Sequence, residues 1–559
     1  MIIGLDVGGT HADVVLLGNE GVINEIKVPT DPTDLFQTVL TALEKITADI
    51  DPANIIRMVM STTLTTNAII QNKLPAVGMI VAGGPGIDPV YFRTNDHFEC
   101  LSGSIDHRGR EVDPVQAEEI GRIREAFRAA GIRHVGVVTK FSVRNAEQEM
   151  TIARQLEGAF EKIFLGHRIS GNLSFPRRIA TTYLNAAVYP IHREFFEAVN
   201  NSLARKGLQV PIRILKADGG NMNFEASIDY PAQTIFSGPA ASVMGSIAFG
   251  SESGDALVMD IGGTTTDMAI LVDQVPLLDP QGVELGGYKT LIRSLKTHSI
   301  GIGGDSAVRI HDGRLQIGPD RDGPALAHGG PSPTPTDALV ILGKARMGSR
   351  ELAEKGFAPL AQALGLPVEE TALRVFDHTC RQILDEAERM IARINRQPVY
   401  TVHEMQDGYQ VQPSTILVLG GPAPLFAERL ESLSDYKVGV VPRWAVANAI
   451  GAALARTTCE VNLYADTEQQ IVSAPEEDFT EGVDRSFNRE KARQMALDLL
   501  RNKALARGAN PDHLDMEVTE DLQFNMVRGF HTTGRNIRIR AQVQPGLIHG
   551  YDPVAGRLM

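Results

Sequence analysis

GLDVGGTHADVVLL, Gly4–Leu17, stands almost at the amino terminus, and LVMDIGGTTTDMAIL, Leu257–Leu271, lies deep inside the same chain. Both spell Asp-x-Gly-Gly-Thr-x-x-Asp between aliphatic runs. In the first copy Ile2, Ile3, Leu5 and Val7 form a β-prone run, a glycine pair turns the chain, and Asp13 to Leu17 is β-prone again, which predicts a β-hairpin. Glycines in the turn leave backbone N–H groups uncovered, so it can cradle a phosphate while the threonine hydroxyl adds a neutral hydrogen bond. Asp6, at the strand end, suits a water bound to Mg²⁺, because that ion is held through few carboxylates plus phosphates and retained waters. A single copy reads best as ordinary hairpin closure. Two copies change the reading, since Asp6 to Asp260, Thr10 to Thr264 and Asp13 to Asp267 share one offset. A repeat of this kind predicts two similar lobes, each offering a phosphate-binding hairpin to a nucleotide between them.

The chain has 559 residues, 43% of them hydrophobic, enough for two or three domains rather than one core. Its net charge of −14 argues against a surface that competes for nucleic acid or anionic membrane, and favours a small-molecule or protein partner. No apolar stretch reaches the roughly 18 to 20 residues of a membrane span, and MIIGLDVGG lacks a basic leader, so a cytoplasmic protein is expected. Cys100, Cys380 and Cys459 are widely spaced and odd in number, as expected of reduced, structural thiols rather than a disulfide or zinc framework.

Along the chain, Asp34 to Ile46 has helical apolar spacing, and MSTTLTTNAII (Met60–Ile70) gathers hydroxyls and Asn67 at a strand-to-helix junction. Helix capping explains those hydroxyls as readily as a site does. Ala76 to Val81, Val115 to Ala130 and Ile132 to Thr139 read as strand, helix and strand, the wiring of an α/β fold. A helix follows from about Leu184 to Lys206. SGPAASVMGSIAFG (Ser237–Gly250) and AVANAIGAALA (Ala445–Ala455) are small-residue helices able to approach a neighbour closely. Gly301 to Asp337 reads as loops, and Glu369 to Ile394 as a long amphipathic helix whose apolar face, Leu373 included, belongs in a core. STILVLGGPAPLF (Ser414–Phe426) is a buried strand ending in Gly420-Gly421, where a flat ring can lie against backbone.

The ordered set of hairpin, small-residue helix, hairpin, Gly-Gly strand end and small-residue helix resembles the nucleotide-binding signature of the sugar kinase, heat-shock chaperone and actin superfamily. Within it, GLDVGGTHADVVLL, STTLTTNAII, ATTYLNAAV, SGPAASVMG, MDIGGTTTDMAIL, HSIGIGGDS, PTPTDA and LVLGGPAPL are similar to the hydantoinase/oxoprolinase family, in particular its ATP-binding A subunit, over residues 1 to about 455. The resemblance implies an α/β fold of two ribonuclease-H-like, actin-like ATPase lobes around a nucleotide cleft, with boundaries expected at 1–183 and 184–460; from about residue 466 the composition turns charged, and a helix at Arg489 to Ala506 with strands around Met516 to Met526 and Asn536 to Val543 predicts a small α+β region at 466–559. It also implies phosphorylation of an amide or carbonyl oxygen of a small substrate, a cyclic amide, lactam, hydantoin or ketone, for hydrolysis or carboxylation. The second step usually belongs to a B-type subunit or fused half. No length remains for that half, so a partner subunit is expected; a homo-oligomer is a further possibility.

Carried over by position, Gly8, Gly9, Thr10, Gly262, Gly263, Thr264 and Thr265 would hold ATP phosphates, Asp13 and Asp267 would orient the hairpins or the metal-bound waters of the cofactor site, and Gly420 and Gly421 would face adenosine. Asp6 and Asp260 would organise Mg²⁺ and act in catalysis together with Asp267. Thr62, Thr63, Thr65, Asn67, His298 and Asp305 would line the substrate side; a hydrogen-bonded loop histidine is as good a reading of His298. This chain has His11-Ala12 where the family has Phe-Thr, Lys296 where aspartate is common, and Asp305 at the end of its glycine loop. Two other classes stay open: an ATP-driven remodelling or reactivating factor, and a degenerate member that binds nucleotide without turnover.

Overall fold

The computed structural model describes residues 1–559 except Pro32, Asp49, Lys206, 208–209, 251–253, Pro280, 397–409 and 550–559. Lys206 and the last ten residues of the expected C-terminal region therefore lie outside the described residues. The two repeats open two mixed sheets. In the first, β1 (Ile2–Val7) and β2 (His11–Gly18) form the expected hairpin, with β3 (Gly21–Pro29) antiparallel beyond β2. β4 (Arg57–Thr62) runs parallel to β1, β5 (Ile212–Leu215) parallel to β4, and β6 (Asn221–Asn223) closes the edge. The second sheet repeats this wiring. β7 (Ala256–Ile261) and β8 (Thr266–Val272) are the hairpin, and β9 (Val275–Pro276) and β10 (Thr297–Ile300) pair antiparallel with β8. β11 (Thr415–Leu419) and β12 (Lys437–Val440) follow in parallel beyond β7. The chain is thus mixed α/β.

Between β4 and β5 a separate four-stranded parallel sheet is inserted, built from Gly78–Ala82, Phe98–Cys100, His134–Thr139 and Lys162–Leu165. Because β5 and β6 return to the first sheet, the expected division at 183/184 falls inside a helix, α1 (Phe175–Arg205), which starts nine residues earlier than its sequence suggests. The C-terminal part is a five-stranded antiparallel sheet whose first strand, Glu460–Asp466, begins before the expected boundary at 466. The helix Arg489–Ala506 covers it through buried Ala492, Ala496, Leu500 and Ala504.

Alternation along β1 explains the packing. Ile3, Leu5 and Val7 point into one core with Val39, Leu43 and Phe196. On the opposite face Ile2, Gly4 and Asp6 meet two helices, α2 (Ser237–Ala248) and a later one, Ala447–Leu454, while Ala256 and Val258 of β7 meet the same pair from the other sheet. The far face of the second sheet rests on α3 (Val368–Arg396), which buries Val375, Phe376, Ile383 and Ile391; Leu373, expected in that core, is 41% exposed. The Ala447–Leu454 helix is α4. The approach of α2 and α4 is possible only because side chains are missing: a Cβ on Gly245 would stand 2.1 Å from the Ala447 carbonyl oxygen, and one on Gly451 2.2 Å from that of Ala241. Gly4 is under the same constraint against Ala449, at 2.1 Å.

Backbone atoms cannot yield as a flexible side chain can, so Gly451→Val is expected to destabilise the protein by about 3 kcal/mol or more. Gly9→Ala, at a position with open space around it, should change stability by less than about 0.5 kcal/mol. Urea melts of the two variants check both.

Candidate functional site

Each hairpin is closed by the same hydrogen bond. Gly8 N donates to the His11 carbonyl at 3.0 Å, and Gly262 N to the Thr265 carbonyl at 2.9 Å. The strand register pairs Asp6 with Asp13 and Asp260 with Asp267, so each hairpin presents two carboxylates on one face, the face turned towards α2 and α4. Gly9, Thr10 and Thr264 are exposed at the tips, and Gly421 is exposed beside the second hairpin. Gly420 has a different duty. Its φ is +95°, and a Cβ there would come within 2.4 Å of Asp260 Oδ1 and of the Ile261 carbonyl, so the glycine lets β11 end against the Asp260 strand.

Residues absent from the sequence reading hold these carboxylates. The Asn448 amide, from α4, donates to Asp6 Oδ2 at 2.6 Å and to Asp13 Oδ2 at 3.1 Å. Lys27 reaches Asp13 Oδ1 at 2.5 Å and the Ala445 carbonyl at 3.0 Å. From α2, the Ser242 hydroxyl donates to Asp260 Oδ2 at 2.5 Å. The available signal was a polar residue inside each small-residue helix; its direction is set by helix rotation, which spacing alone does not give.

Burial pushes the Asp6 carboxyl up to about 7, helped by the charges of Asp13 and Asp260. Asp267 is likewise raised to about 7, by burial first and then by Asp260, and Asp260 is raised by burial and by Asp13. Asp6 Oδ1 is buried without a hydrogen-bond partner. A narrow cleft opens beside the second pair, lined among others by Asp260, Asp267, Ser242, Pro239 and Thr297.

The other expected residues divide. Thr62 and Thr65 are 1% exposed and serve the fold: Ser237 at the start of α2 donates to the Thr62 carbonyl at 3.1 Å and accepts from its N–H at 3.2 Å, while the Thr65 and Thr234 hydroxyls pair at 3.1 Å. Thr63 and Asn67 stand nearer solvent and bond each other at 3.2 Å. His298 pairs with Glu386 at 3.3 Å and Arg393 at 3.2 Å on α3. Its neighbour Ser299 is the partner of Asp267, so alternation turns His298 to the opposite face, away from the carboxylates. Asp305 does come to the second hairpin: its N–H donates to the Gly263 carbonyl at 2.7 Å, and its carboxylate accepts from Arg321 at 3.2 Å and Thr336 at 3.3 Å. The three cysteines are free, Cys380 and Cys459 buried and Cys100 exposed. No helix among the described residues is long and apolar enough to cross a membrane.

Comparison with known proteins adds the family. The hydantoinase/oxoprolinase model matches residues 178–461, just over half the chain, and the hydantoinase/oxoprolinase N-terminal region model matches residues 2–160. The chain belongs to the hydantoinase/oxoprolinase family. It is 23% identical over 487 aligned residues to the caprolactamase subunit alpha of Pseudomonas jessenii, covering 79% of this chain and 68% of that one. Two solved structures share the fold: the ATP-dependent caprolactamase from Pseudomonas jessenii (TM-score 0.73, 18% identity) and a nucleotide-free acetone carboxylase described for ATP-dependent acetone carboxylation (TM-score 0.71, 16% identity). Each comparison covers 98% of this chain and 88% of the other.

The raised carboxyls fix a pH dependence. Asp6 and Asp267 stay protonated in the folded chain up to about pH 7, whereas unfolded aspartates lose their protons near pH 4. Their contribution to the stability of the ligand-free protein is therefore lost as pH rises from about 4 to 7. Asp6→Asn and Asp267→Asn should each flatten this fall, and denaturant melts at pH 5 and pH 8 read the difference.

Proposed function

We propose that this chain is the ATP-binding, kinase-like subunit of a cyclic-amide hydrolase or related carbonyl-activating enzyme. The observation that carries the reading is the duplicated hairpin: two identically closed glycine turns with exposed tips, each backed by a carboxylate pair and facing the same two helices. In this reading the two like-wired sheets are the cores of two ribonuclease-H-like lobes around a nucleotide cleft. The first lobe ends after β6, the second carries β7 to β12, and the residues from Glu460 onward form a third unit.

The turns Gly8-Gly9-Thr10 and Gly262-Gly263-Thr264-Thr265 would hold ATP phosphates through N–H and hydroxyl donors, and Gly421 would lie against adenosine. Among the described residues no three His, Cys, Asp or Glu side chains stand together as a metal cage. Asp6 and Asp260 nevertheless suit Mg²⁺, because Asp6 Oδ1 is buried and unpaired, and that ion completes its shell with phosphates and water. Bound there, Mg²⁺ would neutralise charge on the transferring phosphoryl group. In the transfer the bond from the γ-phosphorus to the ADP oxygen breaks and a new phosphorus–oxygen bond forms to the amide or carbonyl oxygen of the substrate. Asn448 and Ser242 orient the carboxylates, and the hairpin N–H groups stabilise the transferring oxygens. Hydrolysis or carboxylation of the activated compound would fall to a B-type partner; the caprolactamase relative is itself named as one subunit, alpha.

ADP release by the purified chain with Mg²⁺ and ATP, measured against lactams, hydantoins, 5-oxoproline and simple ketones, tests this. A rise with one compound is expected, and Asp260→Ala should lower it by roughly 10² or more, the scale of losing one electrostatic stabiliser. Turnover near that of the unaltered chain in Asp260→Ala would overturn the assignment, and stimulation by a protein client alone would transfer it to a remodelling factor.

A further inference from the structure

A second cavity, of about 40 Å³, shares no residue with the cleft beside Asp260 and Asp267. It lies where the chain leaves β5, at Lys216 and Asp218, and meets residues 168–170, 230–233 and 291–293, the strand start at Glu460 and the helix Arg489–Ala506. Five of its lining side chains are Lys or Arg and three, Asp218, Glu460 and Glu476, are carboxylates, while Glu477 and Asp478 behind the wall pair with Lys503 and Arg168.

The internal pairings do not satisfy every one of these cations. Lys216 is 4% exposed and is satisfied by Asp218 at 3.1 Å and the Thr458 carbonyl at 3.0 Å. Lys503 is satisfied by Glu477 and the Glu460 carbonyl. Asp218 is held at about 2 although burial would raise it, because Lys216 and Arg293 stand beside it. Arg168 is satisfied by Asp478 at 2.9 Å, and the other two guanidinium groups, those of Arg293 and Arg507, are different. Arg293 Nε lies 3.6 Å from Asp218 Oδ2, and its Nε and Nη1 are both buried with no hydrogen-bond partner. Arg507 is 6% exposed and stacks over the Tyr230 ring at 4.9 Å, and among the described residues its guanidinium makes no hydrogen bond or ion pair. Burying such donors unpaired is costly, and a guanidinium fork matches the two oxygens of a carboxylate or phosphate. Ile169, Leu291 and Tyr230 complete the wall.

We propose that this cavity is a binding site for a small oxyanion-bearing molecule, whose oxygens are received by Arg293 and Arg507. The inference stands on this cavity and does not depend on the nucleotide reading. The oxyanion is either a metabolite carboxylate or a phosphate group, and titration calorimetry of the full chain with glutarate and with inorganic phosphate separates the two. Saturable binding of one or both is expected, weakened roughly tenfold or more in Arg507→Gln and in Arg293→Gln, the scale of one lost charge-assisted hydrogen bond. Mg-ATP affinity, measured on the same samples, should stay within about twofold, and an unchanged thermal transition identifies the variants that are folded. No saturable binding of either anion to the unaltered chain overturns the proposal, as does binding that both folded variants retain in full.

Discussion

The structure depends on a contact made without side chains. Gly245 of α2 lies against the backbone of Ala447, and Gly451 of α4 against that of Ala241, with Gly4 of β1 seated on Ala449. Larger residues would hold the helices apart, and the two sheets that rest on them would part with them. The same approach places Asn448 over Asp6 and Asp13, and Ser242 over Asp260. Small residues in these helices are therefore a condition of the site's geometry.

That geometry holds carboxylates in an unfavourable state. Burial and their mutual repulsion favour the protonated forms of Asp6, Asp260 and Asp267, while Lys27, paired with Asp13, is the cation that relieves the group. A divalent cation between these carboxylates would reverse the balance, because its positive charge would favour the ionised forms that burial and mutual repulsion oppose. Proton release and cation uptake are then two sides of one equilibrium.

Both hairpins were legible in the sequence because a period-two pattern around a glycine turn fixes register as well as element type, and Asp6 opposite Asp13 follows from it. The parallel partners were less legible. β5 pairs with β4 only after an inserted sheet and α1, and nothing local marks that return, so the first boundary was drawn inside α1. His298 admitted two readings, substrate-side or a hydrogen-bonded loop histidine, and the structure gives it the hydrogen bonds but on a strand. A glycine-rich neighbourhood made it look like a site loop, yet β10 continues the second sheet through that position, and alternation gives Ser299 to Asp267 and His298 to α3. Asn448 and Ser242 went unmarked because a nearly uniform run of small residues does not say which way a helix is turned.

The duplicated hairpins are built alike but supported differently. A Cβ on Gly9 would meet nothing within 4 Å, whereas one on Gly263 would stand 2.9 Å from Asp305 Oδ2. The second turn is braced: Gly304 and Asp305 donate to the Gly262 and Gly263 carbonyls, Thr266 donates to Ile302 at 2.7 Å, and Thr336 ties the loop to the start of its helix. Gly303 lies so close to the Gly262 carbonyl that a Cβ would reach it at 2.6 Å, which makes the glycine loop a splint for that turn. The first turn has a lighter restraint from Thr30, whose hydroxyl donates to the Gly8 carbonyl at 3.0 Å and whose N–H donates to the Thr10 carbonyl at 2.9 Å. The repeat that looks equal in sequence is therefore braced unequally: the 301–305 glycine loop holds the second turn through several backbone bonds, and Thr30 alone holds the tip of the first.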